Sequence, residues 1–279
     1  MVKIISWNAN SIRNVFSKHE TSFKEFIELE DADVICIQET RCLAEAKDGF
    51  PSWFKGRYPF GEICAAQKKG YSGVGTFSKV APVSCKNEFV PWTMHSTDPD
   101  PNTDANEIIP FEGRSQLCDF GSFQVANLYV PNSKPDLGRL SFRVKSWEPS
   151  VVAAMKTRIS TDSSQASQAQ APLVIVADFN VVPGKLDSYK HLGPKVACAT
   201  IEEKAAFANL QKELGFVDGF RELYPLKQEY TWFSNFGKSR EKGNGLRIDH
   251  VLSMPGVLKE VRICKDVNGS DHVPLVIEF

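Results

Sequence analysis

Residues 174–180 read VIVADFN, a β-branched apolar run that ends in Asp178 and Asn180, two positions apart. Strand side chains alternate faces, so these two point the same way with Phe179 opposite. They either open a turn, since both residue types hydrogen-bond their own backbone, or present a carboxylate and an amide side by side at a strand end. Similar endings recur along the chain. ISWNAN sets Asn8 and Asn10 after the first apolar run, and ICIQE sets Glu39 after the second. NLYVPN carries Tyr129 and Asn132, RIDHVL carries Asp249, and GSDHVP sets Asp271 and His272 before the last run. Each has an ordinary reading: turn residues for Asn8 and Asp271, a strand terminus for Glu39, a core aromatic for Tyr129, a hydrogen-bonded structural histidine for His272. Asp249 resists that treatment. A carboxylate flanked by Ile248, Val251 and Leu252 needs a partner once buried, and histidine is the obvious type.

Taken as one site, the set matches what phosphodiester hydrolysis needs. A hard divalent cation takes carboxylate and amide oxygens, which Glu39, Asp271 and Asn8 offer; the cysteines are not clustered as zinc would require. Asp178 is suited to orient or deprotonate water. His272, Asn180 and Tyr129 offer donors to the charge that develops on phosphorus. Asp249 would then hold His272 in one tautomer and raise its basicity.

Such residues need strands to carry them. KIISW, DVICIQE, GVGTFSK, SFQVANLYV, APLVIVADFN, YTWFSN, RIDHVLSM, VRICK and PLVIEF read as short strands bounded by Gly, Pro, Asn and Ser. Phe23, Phe26 and Ile27 recur at helical spacing before the second strand. Further helices are expected over 140–159, with a kink or break at Pro149, and over 201–214, stopped by Gly215. The polar stretches 91–107 and 160–170 read as loops. The pattern predicts one α/β domain spanning 1–279, with about ten strands in two sheets and helices outside.

At 279 residues, 42% hydrophobic and 24% charged, the chain has the composition of a soluble globular protein. No run of about 18 apolar residues predicts a membrane span, and the N-terminus lacks the pattern of a signal peptide. Seven scattered cysteines without a C-x-x-C pair fit small core thiols in a reducing, intracellular compartment, cytoplasmic or nuclear. A formal charge of −1 excludes a global attraction to polyanions. Contact with nucleic acid would come from local patches: Lys68 and Lys69 beside GYSG, or Lys238, Arg240, Lys242 and Arg247.

WNANSIR, DVICIQETRC, GYSGVGTFSK, EGR, LYVPN, DFN, DGFRELYP, YTWFSN, GLRIDHVL and GSDHVP occur in the order of the exonuclease III family. This group of apurinic/apyrimidinic (AP) endonucleases lies within the endonuclease/exonuclease/phosphatase superfamily, and the chain resembles it from end to end. The resemblance implies a four-layer α/β sandwich, two mixed β-sheets face to face with helices on both outer faces. It implies a Mg²⁺ site, with Mn²⁺ as a substitute, and cleavage of duplex DNA 5′ to abasic sites or at blocked 3′ ends by a monomer. By position it makes Glu39 the metal carboxylate, with Asn8, Asn10 and Asp271 near the metal. Asp178 acts on water, Asn180 and Tyr129 meet the phosphate, and His272 pairs with Asp249. Arg41, Gly70, Tyr71, Asn132 and Arg247 match DNA contacts, while Trp232 and Leu246 match the apolar wall that receives a flipped-out abasic sugar.

The chain departs from that pattern at four places. Asn10 stands where many relatives carry aspartate, Ala177 replaces a glycine before Asp178, KVACATIEEK lacks an expected asparagine, and His250 stands where others have Tyr or Leu. These changes leave hydrolysis in place and leave open a 3′ exonuclease or end-trimming enzyme with weak AP activity. A catalytically silent DNA-binding scaffold is the alternative from another class; the full set of Glu39, Asp178, Asn180, Asp249 and His272 speaks against it.

Overall fold

The computed structural model describes residues 1–90, 111–163 and 171–279. The stretch expected as a loop at 91–107 lies outside them, as does that at 160–170 except for 160–163, which continue a helix. Strands form where apolar runs are bounded by turn residues. The first half supplies β1 (Lys3–Asn8), β2 (Val34–Gln38), β3 (Phe60–Cys64), β4 (Val74–Ser78), β5 (Ser84–Asn87), β6 (Ser115–Asp119) and β7 (Gln124–Tyr129). The second supplies β8 (Leu173–Asp178), β9 (Val217–Asp218), β10 (Trp232–Phe233), β11 (Gly245–Leu246), β12 (Asp249–Ser253), β13 (Glu260–Ile263) and β14 (Leu275–Glu278).

They assemble as two six-stranded sheets, ordered β13-β14-β1-β2-β4-β3 and β5-β6-β7-β8-β12-β9, plus the ribbon β10-β11. Each sheet holds one parallel pair, β1 with β2 and β7 with β8, among antiparallel neighbours. Ile4, Val34 and Cys36 of one sheet pack on Val125, Val174, Val176 and Val251 of the other, which is why these strands read as continuous apolar runs. Helices α1 (Ile12–Lys18), α2 (Glu20–Glu30) and α3 (Ser52–Arg57) cover the first sheet through Phe16, Phe23 and Phe54. On the second sheet lie α4 (Leu140–Phe142), α5 (Glu148–Ser163) and α6 (Ile201–Leu214), packed through Trp147, Val151 and Phe207, while α7 (Gly219–Leu223) follows β9. The expected sandwich is present.

Three local outcomes differ from the sequence reading. Between α4 and α5, residues Arg143–Trp147 form a π turn, the Glu148 amide donating to the Arg143 carbonyl. The irregularity thus falls one turn before Pro149, whose missing N–H cannot bond back into that turn. Strands β3, β5 and β6 carry polar residues, and pairing rather than apolar patterning makes them strands. Cys85 and Cys118, register partners on β5 and β6, form a disulfide. Scattered spacing gave no sign of it, because strand pairing brings residues 33 apart into contact. Cys36, Cys42, Cys64 and Cys198 are buried free thiols, as expected. No helix among the described residues is long and apolar enough to cross a membrane.

Candidate active site

The ends of β1, β2, β7, β8 and β12 meet at one rim. Register pairs Asp178 with both Tyr129 and Asp249, so three chemically active side chains share one sheet edge. His272 Nδ1 lies 2.8 Å from Asp249 Oδ2, and its Nε2 lies 4.0 Å from Asp178 Oδ2. From the opposite sheet, Asn8 Nδ2 donates to Glu39 Oε1 at 3.0 Å and to Asp178 Oδ2 at 2.8 Å. The Tyr129 hydroxyl donates to Glu39 Oε1 at 2.8 Å. Asp271 accepts from Asn10 Nδ2 at 2.9 Å and from the Trp232 indole at 3.0 Å. Residues scattered from position 8 to 272 therefore form one hydrogen-bonded cluster.

Burial decides much of its electrostatics. It pushes the Asp178 carboxyl up to about 7, and the nearby Asp249 charge adds to the effect. Burial alone would lower His272, but the carboxylates of Asp249, Asp178 and Asp271 raise it to about 10. Tyr129 is held well above its ordinary value by burial and by Glu39. Glu39 and Asp271 are also driven up by burial, yet both end below the usual range; donation from Asn8 and the charge of Arg41 lower Glu39, and His272 and Asn10 lower Asp271. At neutral pH the site thus holds a protonated imidazole beside a carboxyl group able to take up a proton.

The backbone around these groups is fixed. Glu39 and Arg41 both adopt left-handed φ values of 50°, held because Ser11 N donates to Glu39 O, and Arg41 N to Ser72 O. Asn180 is left-handed as well, at φ 48°; its amide donates to Asp178 Oδ1 and its Nδ2 to Val130 O. Arg114, in the EGR motif, carries no chemical signal of its own in the sequence. Its guanidinium stacks 4.6 Å over the Tyr129 ring and donates to the Tyr129 carbonyl and the Tyr71 hydroxyl.

The expected DNA contacts sort into two groups. Gly70, at φ 72°, and Asn132 are exposed, and half-buried Tyr71 accepts from Arg114 and Arg139. Asn132 also orients Asn180 by donating to its Oδ1. Trp232 and Leu246 are register partners and cluster with Val182, Cys198 and Ile248 into an apolar wall. Arg247 is a correction. Its side chain is 1% exposed and ion-paired with Asp187 and Asp218, so it braces the wall from within and does not face a ligand. Arg41 bonds Glu39 at 2.5 Å through Nη2, and Arg240 is tied to the Val267 carbonyl. Asn10 lies beside Asp271, donating its amide nitrogen to Oδ1 at 2.9 Å.

The endonuclease/exonuclease/phosphatase family model matches residues 5–272. The chain belongs to that family. It is a hydrolytic nuclease of the exonuclease III type, 31% identical to an exodeoxyribonuclease of Bacillus subtilis over 98% of both chains. It is 32% identical to the DNA repair nuclease APEX1 of Danio rerio, over 99% of this chain and 81% of that one. Its fold superposes on the AP endonuclease LMAP from Leishmania major with a TM-score of 0.80 at 26% identity, covering 99% of this chain and 86% of that one.

The donor set fits the metal dependence of such nucleases. Carboxylates of Glu39, Asp178, Asp249 and Asp271 converge on one imidazole and one guanidinium, an excess of negative oxygen that suits a hard dication. Asp178, Asp249 and His272 also bring ligand atoms within 4.8 Å of one another. Among the described residues, Asp249 Oδ1 is buried with no hydrogen-bond partner.

Proposed function

We propose that the protein hydrolyses DNA phosphodiesters with Mg²⁺, Mn²⁺ substituting, incising duplex DNA 5′ to abasic sites and trimming blocked 3′ ends. The observation that carries this reading is the convergence of Glu39, Asp178, Asp249 and His272 beside an apolar wall formed by Trp232 and Leu246. Glu39 and Asp271 would hold the metal, with Asn8 bracing Glu39 against Asp178. When bound, the ion supplies Lewis-acid stabilisation of charge on the phosphoryl oxygens. Asp178, with its affinity for a proton raised toward neutrality, accepts the proton of the attacking water. His272, kept protonated by Asp249, donates to a phosphoryl oxygen, and Asn180 and Tyr129 hold the phosphate. The wall favours a sugar without a base, which costs less to extrude than a stacked nucleotide. Gly70, Tyr71 and Asn132 face the DNA backbone, and the protein acts as a monomer inside the cell.

The test is a synthetic duplex with one tetrahydrofuran abasic analogue. Incision 5′ to the analogue in Mg²⁺, abolished by EDTA, is expected; an uncut duplex defeats the reading. One observation favours a second version. Cys198 joins the apolar wall in the segment where the family pattern has an asparagine contact, which weakens polar grip on an abasic sugar and shifts the balance toward 3′-end trimming. Rates on recessed 3′ ends, 3′-phosphates and abasic duplexes, measured side by side, separate the two.

A further inference from the structure

Asp178 and Asn180 leave β8 on a turn that the strands do not hold alone. Beneath it lies Arg143, the first residue of the π turn, 1% exposed. Its Nη2 donates to the Phe179 carbonyl and its Nη1 to the Asn180 carbonyl, both at 2.7 Å. Its Nε meets Glu148 at 2.7 Å, and Nη1 also meets Glu203 at 2.9 Å. Glu203 is itself anchored: it accepts from Ser133 Oγ at 2.6 Å and closes the N-terminal capping box of α6 with Thr200. One planar fork therefore ties the turn to two helices on the outer face of the second sheet.

The contacts are selective. A guanidinium carries five N–H donors, and the two carboxylates take one each. Here two donors are aimed at consecutive main-chain carbonyls directly after Asp178, in a turn where Asn180 is held left-handed. A π turn also displaces a helix face locally and recurs where a side chain must be re-aimed for function.

We propose that Arg143 is a positioning residue for hydrolysis: it sets the 178–180 turn so that the Asp178 carboxylate and the Asn180 amide face the reacting phosphate, without touching that phosphate itself. This rests on the reading of Asp178 and Asn180 as catalytic groups. Lysine cannot replace the fork, since an ammonium offers three donors from a single atom and cannot span two carbonyls and two carboxylates.

The experiment compares Arg143→Lys, the double variant Arg143→Gln with Glu148→Gln, and the control Glu148→Gln. Each is measured for kcat and KM on the tetrahydrofuran duplex in Mg²⁺, for Tm, and for amide hydrogen exchange at residues 178–182. Arg143→Lys should lower kcat about 10²-fold, as expected for a small misplacement of reacting groups, with KM changed by no more than about threefold. Exchange at the Asn180 amide should rise while that of β1 and β14 stays as in the wild type. Glu148→Gln should lower Tm and leave kcat and Asn180 exchange in place, since a glutamine oxygen still accepts from Arg143. The double variant removes the Glu148 charge together with the guanidinium, leaves Glu203 held by Ser133 and Thr200, and serves if the lysine variant fails to fold. Wild-type kcat and Asn180 protection in either Arg143 variant would overturn the proposal. If the wild-type protein does not cut the duplex, the catalytic reading falls, and exchange at Asn180 still decides whether Arg143 holds the turn.

Discussion

The two halves of the rim are held by different means. On the first sheet, the residues after β1 and β2 are held by main chain: Ser11, Ile12, Thr40 and Arg41 amides donate to the carbonyls of Glu39, Thr40, Gly73 and Ser72. Asn10, Ser11, Glu39, Arg41 and Ser72 all adopt left-handed φ to make this lattice. On the second sheet, the residues after β7 and β8 hang on buried guanidiniums: Arg114 on Tyr129, Arg143 on Phe179 and Asn180, Arg247 on Asp187 and Asp218. A lattice of amides survives most side-chain changes. An arginine fork does not, because loss of one partner leaves a charge buried and unpaired. The half that carries Asp178 and Asn180 is therefore the more sensitive to single substitutions.

The largest expected effect is chemical. His272→Ala should lower kcat roughly 10³–10⁴-fold while duplex binding in EDTA survives, because it removes the cation facing Asp178 and takes from Asp249 its imidazole partner, both away from the exposed backbone-facing residues Gly70 and Asn132; single-turnover kinetics beside filter binding measure both, and near-normal turnover would refute the role. Next comes stability. Asp218→Asn strips Arg247 of a buried partner and should cost about 3–5 kcal/mol at pH 7 in urea unfolding. Asp218 is held far below the ordinary carboxylate value: burial opposes this, and the charge of Arg247 outweighs it. Its stabilisation is therefore complete above about pH 4, and the difference between wild type and variant should shrink as pH falls below that.

A smaller effect is expected from the first sheet. Gly73 has φ 92°, and a methyl group there would run into Thr40 Oγ1. Gly73→Ala should cost about 1–3 kcal/mol, less than the loss at Asp218, and reversal of that order in parallel urea titrations would break the comparison. The pH profile sharpens it most finely. Asp178 is raised and Glu39 lowered, so the acid limb of kcat belongs to the second sheet: activity rises as pH climbs through the Asp178 value near 7 and falls as His272 loses its proton near 10. Asp249→Asn removes a charge that raises both groups, so both limbs should move to lower pH. Unmoved limbs would show that neither group sets the profile.

How much of this could be read in advance follows from the range of the forces involved. Local rules sufficed for α6, whose Thr200 cap, Glu203 and terminal Gly215 are all within a few residues of the helix. They sufficed too for the polar ends of β1, β2 and β8, because an aspartate or glutamate after a buried run is conspicuous wherever it later goes. Motif order named Glu39, Asp178, Asp249 and His272 together. The errors fell where one side chain had two equally reasonable destinations. Arg247 lies in a basic stretch that reads as a DNA contact, and only the approach of Asp187 and Asp218, 60 and 29 residues earlier, makes it internal. Arg143 carried no signal, since nothing nearby shows that a helix bulge aims it under β8. By its apolar spacing and strand-end chemistry the sequence determined which residues would be available to a hydrolytic site. The tertiary structure decided which of them keep free polar atoms at the rim and which are consumed in holding it, because charge pairing in a low-dielectric interior is settled by three-dimensional distance, and separation along the chain does not encode it.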